Sequence, residues 1–148
     1  MNEIEIKSIS NGWMTLQFKK YTLYISYLTD IAILWLMEID FALDNNTPMC
    51  LSFTDEEQDY LIIVTNGYIC LYSSDELFYK LDINYKQFIC NLFNQLQKFK
   101  QELIDWPYWA QGNMSIKQQA VYAERKIKID KLFNKINAKI LLSDLGKD

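Results

Sequence analysis

Apolar and polar side chains alternate from the start of the chain. Ile4 and Ile6 fall between Glu3, Glu5 and Lys7, the two-residue period of a half-buried strand. Asn11-Gly12 follows, the preferred dipeptide of a tight type I′ turn, and Trp13 to Phe18 reads as the returning strand. Lys19-Lys20 makes a tight turn of weaker chemistry, after which Tyr21 to Leu28, rich in Tyr, Thr and Ile, reads as a third strand. Thr29 or Asp30 can cap a helix running to about Leu43. Its apolar side chains Ile31, Leu34, Leu36, Met37 and Phe41 cover much of the circumference, which predicts a well-buried helix. Asn45-Asn46-Thr47-Pro48 stops it.

A second block of strands is expected at Met49 to Phe53, Tyr60 to Thr65, Tyr68 to Ser73 and Leu77 to Leu81. Asn66-Gly67 closes the middle pair. A two-residue loop there pairs Thr65 with Tyr68, Ile63 with Cys70 and Leu61 with Tyr72. The opposite face carries Tyr60, Ile62, Val64, Ile69, Leu71 and Ser73. Being more aliphatic, it is the expected core face. The Tyr-bearing face is then either covered by a second layer or partly exposed.

Helical periods take over at Asn84, where Gln87 gives a capping-box-like start. Phe88, Leu92, Leu96, Phe99 and Leu103 mark one stripe, which the segment Asp105-Trp106-Pro107-Tyr108-Trp109-Ala110-Gln111-Gly112 breaks. Ser115 with Gln118 opens a last helix that carries Ile116, Ala120, Ala123, Ile127, Ile129, Phe133, Ile136 and Ile140 and ends near Gly146. Hairpin-connected strands imply antiparallel pairing. The expected fold class is α+β: an antiparallel meander sheet packed by helices, with two long C-terminal helices. At 148 residues, with half of them hydrophobic, the chain is read as one domain, strand-rich over 1–82 and helical over 83–148.

Charge changes the picture more than composition does. Residues 1–82 hold 13 acidic and 4 basic side chains, a net of −9, whereas residues 83–148 hold 6 acidic and 11 basic ones, a net of +5. Such asymmetry bears on partners and association rates, not on fold. The basic complement contains a single Arg, Arg125. Planar recognition of phosphate or guanine prefers Arg, so specific nucleic-acid binding is not expected. No apolar run approaches the roughly 20 residues that span a bilayer, and Met1 to Glu5 lacks the basic start of a signal peptide. The expected compartment is the cytoplasm, with no membrane partner. Cys50, Cys70 and Cys90 are odd in number and far apart, so each reads as a small buried hydrophobe.

Catalysis is hard to build from this composition. The chain has no His, which excludes Ser–His–Asp and Cys–His arrangements and a histidine-completed zinc site. It has no Gly-rich phosphate loop. Paired carboxylates are abundant, but no pair among the 19 acidic residues stands out. The expectation is a protein that is not an enzyme and uses no cofactor or metal.

Three features can carry binding. The first is an acidic rim: Asp55, Glu56, Glu57 and Asp59 in one interstrand loop, and Asp75 and Glu76 in another. In a meander, alternate loops share one end of the sheet, so these six carboxylates should gather. They would steer a basic partner; the plainer alternative is two solvated turns. The Asp-Glu-Glu-Gln-Asp run lacks the spacing and glycine of an EF-hand loop. The second feature is the aromatic segment Trp106, Tyr108 and Trp109, either an interface anchor or a plug between helices. The third is a lysine stripe, Lys128, Lys131, Lys135 and Lys139. It reads as a solvated face, a surface for RNA or lipid headgroups, or a complement to the acidic half of a second subunit.

Two stretches carry a resemblance. Asn11-Gly12-Trp13 through Ser26-Tyr27-Leu28-Thr29-Asp30 is a hairpin running into a helix, and Asp55 through Tyr72 is an acidic loop feeding an Asn-Gly hairpin. The arrangement, over about residues 11–100, resembles the bacterial immunity proteins of contact-dependent inhibition and other polymorphic toxin systems. The resemblance implies a protein partner, one cognate toxin C-terminal domain, neutralised by stoichiometric binding. Many such toxins are nucleases with basic clefts, which an acidic rim would fit. The alternative expectation is an oligomeric structural or regulatory module with no toxin partner.

Overall fold

The computed structural model describes residues 3–74 and 76–143. Three strands, β1 (Ile4–Ser10), β2 (Trp13–Phe18) and β3 (Tyr21–Ser26), form one antiparallel meander. Helix α1 (Ile31–Asn45) follows. Four more strands, β4 (Met49–Thr54), β5 (Asp59–Val64), β6 (Tyr68–Ser73) and β7 (Glu76–Asp82), form a second meander. The helical half comprises α2 (Tyr85–Lys98), α3 (Lys100–Asp105), a 3₁₀ turn at Trp106–Tyr108 and α4 (Ile116–Leu142).

The fold class is α+β, with two corrections. The strands make two sheets rather than one, because α1 separates the blocks and each strand pairs only within its own block. Side chains bridge the sheets instead: the Tyr79 ring meets Phe18 and Tyr21 edge-on. The helical half contains one long helix, not two. The stripe from Phe88 to Leu103 is interrupted at Phe99, whose backbone (φ −105°, ψ 23°) leaves the helical region. Its N–H is shared between the carbonyls of Gln95 and Leu96, a tightening toward 3₁₀ geometry. The following turn is rotated so that the adjacent Leu103 and Ile104 both reach the core.

The hairpin register at Asn66-Gly67 is the expected one: Ile63 faces Cys70 and Leu61 faces Tyr72. Ile62, Val64, Ile69 and Leu71 are fully buried, while Leu61, Ile63 and Tyr72 are half-buried, so the Tyr-bearing face is partly exposed. At the other turn Asn11 and Gly12 both take positive φ, as a type I′ hairpin requires. The inner faces of both sheets, α1, α2 and the middle of α4 share one core, with Trp35 and Trp106 its largest members. Each indole is satisfied: Trp35 Nε1 donates to the Ser52 carbonyl and Trp106 Nε1 to the Thr29 carbonyl. The β1 edge is closed by a side chain. Gln95 of α2 accepts from Ile6 N at 2.5 Å and donates to Ile4 O at 2.8 Å, which occupies groups that an edge strand otherwise offers to other chains.

Asp30 caps α1, accepting from Ile33 N, and Asn46 ends it in the left-handed conformation. The helix is not buried all round. Leu34, Met37 and Phe41 are about half exposed, and the core side is carried by Ile31, Ala32, Trp35, Leu36, Ile39 and Ala42. In α4 only Ile129, Phe133 and Ile136 are fully buried. Its capping box at Ser115 and Gln118 forms as expected, and its expected end near Gly146 lies outside the described residues. Of the cysteines, Cys70 is buried, Cys90 half-buried and Cys50 exposed, the last on the outward face of β4 rather than in the core.

Candidate functional site

The acidic loop between β4 and β5 is built by its own side chains. Asp55 Oδ1 accepts from Glu57 N and Gln58 N, an Asx turn, and Oδ2 accepts from the Tyr60 hydroxyl. Thr54 Oγ1 accepts from Glu56 N. Burial raises the Tyr60 phenol, and the neighbouring Asp55 and Glu57 raise it further. Glu56, at φ 76°, turns back toward the first sheet, where Ser26 Oγ donates to its carboxylate at 2.8 Å. Ser26 is fully buried, so Glu56 supplies the acceptor its hydroxyl needs. Glu57 and Asp59 remain exposed.

The β6–β7 loop lies at the same end of the sheet. Tyr60 pairs with Ser73, and Ser73 Oγ donates to Gln58 Oε1 at 2.5 Å. This brings exposed Glu76, which opens β7, beside the first loop. Asp75 lies outside the described residues. Open clefts of about 590 and 470 Å³ flank the junction, with Gln58, Tyr60 and Ser74 in the walls of both. Among the described residues, Glu57, Asp59 and Glu76 enter no ion pair.

The aromatic segment divides. Trp106 is a core residue. Tyr108 is half-buried with its ring edge-on to Tyr122, whose hydroxyl donates to Asp105 at 2.6 Å. Trp109 is 46% exposed. It lies over the Asn11-Gly12 turn and edge-on to Tyr27.

The connection from β3 to α1, residues 27–30, joins these parts. On one side Ser26 holds Glu56 of the acidic loop. On the other Tyr27 meets Trp109, and the Thr29 carbonyl accepts from Trp106. Leu28 between them is 62% exposed. The connection therefore carries the acidic loop and the exposed tryptophan on its two sides. The sequence offered no spacing signal for this, because it depends on two turns about 50 residues apart reaching one short linker.

The basic half of the chain meets the acidic half inside the molecule. Arg125 donates to both Asp30 oxygens, at 2.6 and 3.1 Å, and to the carbonyls of Leu103 and Ile104. The lone Arg is thus a joint between α3, α4 and the cap of α1. Lys135 pairs with Asp40, and Lys139 with Asp40 and Asp44. Lys100 pairs with Asp130. Of the lysine stripe, Lys128 and Lys131 remain exposed and outside these pairs.

Among the described residues, no group of three or more His, Cys, Asp or Glu is placed to hold a metal ion, and no helix is long and apolar enough to cross a membrane. No protein-family model, curated protein or solved structure matches the chain.

Proposed function

We propose that this protein is a stoichiometric inhibitor of the immunity type, which binds a basic toxin domain of its own system and performs no chemistry itself. One observation supports the reading. The β3–α1 connection touches the acidic loop through Ser26 and Glu56 and the exposed Trp109 through Tyr27, with exposed Leu28 between the two contacts. Exposed Glu57, Asp59 and Glu76 steer a positively charged partner toward that surface. Trp109 and Leu28 then lose their water against it, as anchoring residues do. The absence of His supports binding over acid–base catalysis.

The test is affinity capture of the tagged chain at low salt from its native cell, with mass spectrometry and a toxicity assay of whatever co-purifies. The expected result is a one-to-one complex with a polypeptide whose toxic domain is silenced when this chain is co-produced. Recovery of the chain alone, or of a partner whose toxicity it leaves unchanged, overturns the proposal.

A further inference from the structure

Helices α1 and α4 lie side by side and parallel. Asp30 meets Arg125, Asp40 meets Lys135 and Asp44 meets Lys139, each pair 95 residues apart in sequence. A constant separation fixes the register: residue n of α1 stands level with residue n + 95 of α4. Between the helices, on the side away from the core, runs an open groove of about 850 Å³. Met37, Phe41 and Ile127 line it and are 49%, 58% and 55% exposed. Three large apolar side chains left in water along one groove mark an unfilled interface rather than scattered surface residues.

The charges of the two walls say what fills it. The α1 wall is acidic, with Glu38, Asp40 and Asp44, and the α4 wall is net basic, with Lys128, Lys131 and Lys135 beside one carboxylate, Glu124. Asp40 and Asp44 already pair with Lys135 and Lys139 inside the molecule, which leaves Glu38 on one wall and Lys128 and Lys131 on the other to meet a second copy. A surface with one acidic and one basic wall is complementary to itself. We infer that this groove is a homodimer interface, in which a two-fold axis running along the groove sets the α1 wall of each copy against the α4 wall of the other.

The register makes the pairing specific. Such an axis preserves height along the helices, so Glu38 of one copy stands level with residue 133 of the other. Lys131, exposed and outside the intramolecular pairs, is two residues away, about 3 Å along the axis at 1.5 Å per residue. Glu38 and Lys131 therefore form the cross-copy pair, with Met37 and Phe41 packed against the apolar strip of the partner's α4. A two-fold axis across the groove instead stacks acidic wall on acidic wall and basic on basic, which like-charge repulsion disfavours. This inference is independent of the inhibitor reading, whose surface lies at the acidic loop and Trp109.

Sedimentation equilibrium of the full chain at low salt, from about 1 to 500 μM, tests it across the affinity range of modest interfaces. The expected result is a concentration-dependent dimer that weakens as salt rises. Replacing Met37, Phe41 and Ile127 together by Gln removes exposed apolar surface without touching the core and should weaken the dimer at least about tenfold. Lys131→Glu and Glu38→Lys should each weaken it, and the double exchange should restore it. Glu38 also accepts from Cys50 N, so circular dichroism of each variant separates misfolding from lost pairing. A monomer throughout the range, a dimer indifferent to the Gln variant, or a double exchange in folded protein that restores nothing would overturn the inference.

Discussion

At Gly12 the backbone takes φ +80°, and a Cβ built there lies 2.5 Å from Trp109 Nε1. Gly67, in the same Asn-Gly dipeptide, has neither a positive φ nor any atom within 4 Å of the added carbon. Gly12→Ala should therefore cost about 1–2 kcal/mol and expose Trp109 further, whereas Gly67→Ala should change stability by no more than about 0.5 kcal/mol. Urea unfolding followed by tryptophan fluorescence checks both; equal effects would contradict the packing described. The two dipeptides look alike in the sequence, and both turns were legible there. What differs is the sign of φ and the indole that folds over one of them, a contact about 100 residues away in the chain. The carboxylates divide in the same way. Asp55 builds its turn and Glu56 serves buried Ser26, so Glu57, Asp59 and Glu76 are the ones free to meet a partner.

At the scale of elements, the α1–α4 pair is held by ion pairs in which the titrations of Asp40 and Lys139 report on the contact. Burial pushes the Asp40 carboxyl up, but the hydrogen bonds and charges of Lys135 and Lys139 outweigh it and hold Asp40 below the usual carboxylate range. Burial pushes the Lys139 ammonium down, and Asp40 and Asp44 outweigh that and raise it. A depressed carboxyl contributes stability above its unfolded value, about 3.9, that is lost as pH falls through the folded value. A raised lysine contributes below its unfolded value, about 10.4, and that part is lost as pH rises through the folded value. The pairing is thus fully present across neutral pH. Asp40→Asn should lower the urea midpoint by a constant amount from about pH 5 to 9, and the difference should shrink below about pH 4. A difference that persists unchanged at pH 2 would contradict this account. Helix and strand positions were legible because period and caps are local: Asp30, Asn84 and Ser115 each cap the helix expected of them. The break at Phe99 was not, since no Gly or Pro marks it and it follows from packing beyond the helix. The exposure of Met37 and Phe41 was also hidden, because an apolar side chain reads as buried until its neighbours are known.

At the scale of the molecule, the split between a chain half of net −9 and one of net +5 resolves into two parts. Asp30, Asp40 and Asp44 are answered internally by Arg125, Lys135 and Lys139. Glu57, Asp59 and Glu76 are not, and they stand at one end of the second sheet. The neighbouring of the two loops was legible from meander topology alone, whereas the Ser73–Gln58 hydrogen bond that joins them was not. The neighbouring place of Trp109 needed the three-dimensional fold. The central claim is that this unanswered charge steers a basic partner. Its most direct test is the association rate of the captured partner with the wild-type chain and with Glu57→Lys, Asp59→Lys and Glu76→Lys combined, measured by stopped flow over a range of salt. The account predicts association slowed by about tenfold or more at low salt, with a flatter salt dependence. An unchanged rate and an unchanged salt slope would contradict it.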